Sequence, residues 1–141
     1  MDAGLQIRVV ELDPDYVGIE VAAANSLFSG AARIYAGAHQ LTELARAITG
    51  FPATSRDKRS FELGTRDPKY AGGFAGLTFH CLDGSGHPLV SVAIQDDDLC
   101  DSEASAVFSF PIEAAAPDLF VQALYEVEAA KSGSARLGAA V

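Results

Sequence analysis

The strongest constraint on this chain lies in one stretch of its second half, GFAGLTFHCLDGSGHPLVSVAI. Ala75, Leu77, Phe79 and Cys81 alternate with Gly76, Thr78 and His80, the two-residue period of a strand buried on one face. Asp83-Gly84-Ser85-Gly86 then turns the chain into a second alternating run, which makes the pair a hairpin. If the turn pairs Leu82 with His87, Phe79 falls opposite Val90, Leu77 opposite Val92 and Ala75 opposite Ile94, all on the same face. A slip of a single residue would turn one apolar set to solvent, so the register is strongly specified. The next run, ASAVFSFPIE, places Ala106, Phe108, Phe110 and Ile112 on one side, and pairing Val92 with Phe108 carries the core face across a third strand. Pro111 forfeits a ladder donor and marks a strand end or an edge.

The first half repeats the strand signal and then changes period. LQIRVVEL and YVGIEVAAA alternate on either side of the Asp13-Pro14-Asp15 turn, and LFSGAARIYA reads as a third strand weakened by Gly30 and its alanines. From about His39, Leu41, Leu44, Ala45 and Ile48 take the spacing of an apolar helical stripe, which Gly50 stops. A short strand with Phe61 and Leu63 follows. Pro117 and Asp118 open a closing helix with a stripe of Leu119, Phe120, Ala123, Leu124 and Val127, and Lys131 near its end. SGSARLGAAV shows no period and is expected to be a flexible tail over residues 132–141. The expectation is one α+β domain over residues 1–131 in the order βββαββββα, a mainly antiparallel sheet of about seven strands with two helices on one face.

Composition narrows the functional classes. Nineteen acids against ten Lys and Arg leave a formal charge of -9, which repels a phosphate backbone and excludes nucleic acid as the expected partner. Hydrophobic residues at 49% with 21% charged fit an ordered globular domain. The apolar runs fall short of the ~18 residues of a membrane span. The opening MDAGLQIRVVELD has no basic start or apolar centre, so no membrane role and a cytoplasmic location are expected. Cys81 and Cys100 are read as free thiols on that basis.

Charge is also unevenly placed. QDDDLCDSE holds Asp96, Asp97, Asp98, Asp101 and Glu103 without a base. An EF-hand starting at Asp96 would need an oxygen ligand at Cys100, glycine at Asp101 and glutamate at Val107, so that pattern fails. These five carboxylates are read as a docking surface for a basic protein partner, with a solvated turn as the plain alternative. His80, His87 and Glu113 share the outer face in the proposed register and form a second, possible polar site. Neighbouring His80 and Cys81 point to opposite faces, which opposes a shared zinc site, and no metal or cofactor is expected. The segment with Arg56, Lys58, Arg59, Arg66 and Lys69 also carries Asp57, Glu62 and Asp67, which can neutralise much of it. Phe51, Tyr70 and Phe74 nearby would make a contact patch if exposed together. Gly84-Ser85-Gly86-His87 bridges two strands and so is no nucleophile elbow, and no phosphate loop occurs.

The succession LTELARAITGFP, FELG, GLTFHCLDGSGHPLVSVAI, VFSFPIE and APDLFVQAL resembles small bacterial α+β domains, some of them immunity proteins of polymorphic toxin systems. The resemblance spans most of residues 16–130, although the tryptophan common in such domains is missing. It implies toxin neutralisation by binding and supplies no catalytic residue. Two functions therefore compete. One is a non-enzymatic protein-binding domain with an acidic docking surface, or a homodimer joined through an edge strand. The other is a small-molecule-binding protein or small enzyme with a site between helices and sheet.

Overall fold

In the computed structural model the described residues are 1–66, 72–96 and 104–140. Eight strands and two helices follow the order β1 (Gly4–Leu12), β2 (Val17–Ala24), β3 (Ser29–Ala36), α1 (Gln40–Ile48), β4 (Lys58–Gly64), β5 (Phe74–Cys81), β6 (Pro88–Asp96), β7 (Ala104–Pro111), α2 (Ala116–Ala130) and β8 (Ser134–Gly138). The α+β class and the order βββαββββα hold, followed by an eighth strand. The single sheet does not. The strands divide into two four-stranded antiparallel sheets, β3-β2-β1-β8 and β4-β5-β6-β7.

The second sheet has the register read from the alternation. Phe79 faces Val90, Leu77 faces Val92, Ala75 faces Ile94, and Val92 faces Phe108. Phe79, Val92 and Phe108 are all buried, because each alternate residue of this meander is apolar and only one face meets the core.

Residues 134–138 depart from the expected tail. Leu5 pairs with Leu137 and Ile7 with Ala135, and all four are fully buried. The short alternation of Ala135 and Leu137 was too brief to signal a strand without its distant partner β1.

The two sheets meet where β3 crosses one end of the second sheet. Gly73 N donates to Arg33 O at 2.8 Å, a Cβ on Gly64 would collide with Gly73 O, and one on Gly30 would touch Ala106 Cβ at 3.5 Å. Residues on β3 thus meet β4 and the start of β5 near one end and β7 near the other. The helices join the same core. α1 buries Leu41, Leu44, Ala45 and Ile48, and α2 buries Pro117, Phe120, Leu124 and Val127. The helices are tied to each other by the Thr42 hydroxyl, which donates to Glu128 Oε2.

Candidate functional site

Among the described residues, Asp96, His80, His87 and Glu113 share no hydrogen bond with one another. Asp96 ends β6 opposite Ala104. Asp97, Asp98, Asp101 and Glu103, like Lys69 and Tyr70, lie outside the described residues. Phe51 and Phe74 are buried and form no exposed patch: Phe51 meets Phe79 edge-on at 5.7 Å between ring centres, and the Arg66 guanidinium covers the Phe74 ring at 4.3 Å.

His80, His87 and Glu113 each have a different neighbour. His87 Nδ1 lies 3.1 Å from Asp83 Oδ2 within its own turn, and this contact together with the Ser85 N–H holds the Asp83 carboxyl below its usual range. Glu113 uses its carbonyl to accept from Ala116 N at the entry to α2. His80 Nε2 sits 3.2 Å from Ser91 Oγ. No cluster of three metal-ligating side chains occurs among the described residues.

Ser91 belongs to a row of hydroxyls that crosses the outer face of the second sheet. Ser60, Thr78, Ser91 and Ser109 are successive cross-strand partners, with 3.2 Å between Ser60 and Thr78 and 2.7 Å between Ser91 and Ser109. His80 beside Ser91 has the distance of a base beside a nucleophile. Among the described residues, however, no carboxylate bonds His80 to orient it, so the arrangement is a polar sheet face and not a triad.

A different surface collects the features of a contact site. The turn between β2 and β3 is locked by Asn25, whose Oδ1 accepts from Leu27 N at 2.9 Å and Phe28 N at 2.8 Å. Asn25 Nδ2 reaches across to donate to Ser109 O on β7 at 3.0 Å. On this turn Leu27 is 80% exposed and Phe28 61% exposed, and on β7 Val107 is 79% exposed. Large apolar side chains fixed to a rigid frame and left in water are what a binding surface presents before its partner arrives. Sequence alternation places Leu27 and Phe28 in the third strand, whereas that strand begins at Ser29. The missed signal was a pair of large apolar residues at a position where turn geometry asks only for Asn25.

The backbone of β7 shows which groups are free. Ile112 N donates to Pro88 O, so even-numbered residues of β7 turn their N–H and C=O toward β6 and odd-numbered ones turn theirs outward. Two of the outward carbonyls are taken, Ser109 O by Asn25 and Pro111 O by Ala140 N at 2.7 Å. Ser105 and Val107 keep both outward groups without a partner among the described residues.

Two small clefts lie among the described residues. A cleft of about 110 Å³ lies where β3 meets β6 and β7, lined by Ser29, Gly30, Ala31, Ile94, Ala104, Ser105 and Ala106, with no titratable side chain in its wall. A second, between Val9, Val17, Leu41 and Val127, has about 10 Å³, the space of one water at most. No helix among the described residues is long and apolar enough to cross a membrane. Compared with known proteins, the chain matches no family model, no curated protein and no solved structure.

Proposed function

We propose that this chain is a protein-binding domain that acts by occluding a basic protein partner, in the manner of a toxin-neutralising immunity protein. The observation that carries this reading is the exposure of Leu27, Phe28 and Val107 on a turn and an edge strand that Asn25 ties together. Burying such side chains supplies roughly 1.5–3 kcal/mol each, and a few of them suffice as anchors. The formal charge of -9 favours a cationic partner and speeds its encounter. The cleft by β3 is smaller than ligand pockets generally are and offers serine hydroxyls alone as polar side chains, which weighs against a small-molecule role.

The test is growth rescue. The product of the adjacent gene is expressed alone and with this chain, and the complex is measured by calorimetry. Rescue with the wild type, and loss of both rescue and at least about 100-fold in affinity for Leu27→Asp with Phe28→Asp, is the expected result. An adjacent product that neither harms the cell nor binds this chain would overturn the reading.

A further inference from the structure

We propose that β7 is a strand-addition site. An extended segment of the partner pairs with Ser105 and Val107, covers Leu27 and Phe28 with its apolar side chains, and carries Lys or Arg where it passes Asp96. This rests on the protein-binding reading and names its mode.

Among the described residues four edge strands bound the two sheets, and three of them carry charge, short length or a crossing element. β3 is crossed by the second sheet, with Arg33 O taken by Gly73 N. β8 is five residues long, carries Arg136 and packs against α2. β4 bears Lys58, Arg59 and Glu62, and Gln40 Nε2 donates to the Glu62 carbonyl at 3.3 Å. Charges, short length and covering elements are the means by which sheets prevent pairing with other chains.

β7 has none of these along most of its length. Residues 104–110, ASAVFSF, contain no charge, and proline stands only at the last position of the strand. Asn25 and Ala140 occupy the carbonyls at its far end, which confines an added strand to the part around Ser105 and Val107. Backbone pairing there supplies affinity with little demand on sequence, while alternate side chains meet the Leu27 and Phe28 turn and set specificity.

Charge chooses the occupant. Asp96 is the cross-strand partner of Ala104, and the seven residues joining them carry Asp97, Asp98, Asp101 and Glu103 without a base. A second copy of this chain would carry the same net charge of -9 and the same acidic run, whereas a cationic segment is attracted.

The experiment titrates the full-length, nitrogen-15-labelled chain with acetyl-Lys-Lys-Val-Thr-Val-Thr-Val-amide and follows the amide resonances. Saturable shifts at Ser105, Val107, Leu27 and Phe28 are expected. Binding should weaken at least about tenfold when the peptide valines are N-methylated, when its lysines become glutamates, and in the Val107→Pro variant. That variant removes the outward N–H together with the exposed Val107 side chain and fixes the local φ, and its fold is checked by the unchanged resonances of Phe79 and Val92. No saturable shifts, or shifts confined to other strands, would overturn strand addition while the growth-rescue result stands on its own. Equal binding of the N-methylated peptide would overturn the backbone mode and leave side-chain docking. A wild-type dimer that Val107→Pro converts to monomer would also overturn the proposal, because a second copy would then be the occupant.

Discussion

Two side chains do more than their exposure suggests. Arg59 donates through Nη1 to Ala47 O at 3.2 Å and Thr49 O at 2.6 Å, carbonyls at the end of α1, and grips Asp57 at 2.8 and 3.1 Å. It therefore supplies a cation to the negative helix end and fastens α1 to β4. Arg59→Ala is expected to cost about 1–3 kcal/mol in urea unfolding, with Arg59→Lys recovering part of it. The bond to Arg59, then that from Ala53 N, lowers the Asp57 carboxyl below its ordinary range. The sign follows: a lowered folded value means that the contribution is present above the unfolded value, near 3.8, and fades as acidification passes the folded one. Acid titration of Asp57→Asn should show less loss of stability in that window than the wild type. Asn25→Ala removes three bonds at the turn and is expected to cost about 1–2 kcal/mol while weakening partner binding. Sequence shows Asp57 only as one of three acids able to neutralise the bases around Arg59, and not that an Arg59–Asp57 pair closes a helix, since the carbonyls it meets belong to no readable pattern.

At the scale of elements, legibility followed locality. The β5-β6-β7 meander was readable because its turns are short and every alternate residue takes part in one face. β8 was not, since its partner β1 lies at the other end of the chain and its own two buried residues make a weak signal. Deleting residues 132–141 strips Ala135 and Leu137 from the core and bares Leu5 and Ile7. A loss of about 4 kcal/mol or more is expected by thermal or urea unfolding, whereas a true tail would cost nothing. The junction of the sheets was equally hidden. A Cβ on Gly73 would stand 2.8 Å from Gln95 O and 3.0 Å from both Ala32 Cβ and Arg33 O, so Gly73→Ala should destabilise by about 2 kcal/mol or more. Nothing near Gly73 in sequence announces that β3 passes there.

For the whole molecule, acids and imidazoles stand out in the sequence, while a hairpin turn and an edge stand out in the structure. Apolar periodicity identifies what is buried. It does not identify which apolar residues are left out, and Leu27, Phe28 and Val107 became visible only once both sheets were in place. The two sheets and both helices share one core, and the two clefts have about 110 and 10 Å³. Among the described residues three of the four sheet edges carry charge, short length or a crossing element, whereas β7 carries no charge and leaves Ser105 and Val107 unpaired on its outer side. Native-state amide hydrogen exchange of the isolated chain, read residue by residue along β7, tests this claim most directly. The Ser105 and Val107 amides should exchange orders of magnitude faster than those of Ala106 and Phe108, which are bonded to β6. Equal protection across all four amides, or slower exchange at Val107 than at Phe108, would contradict an open edge.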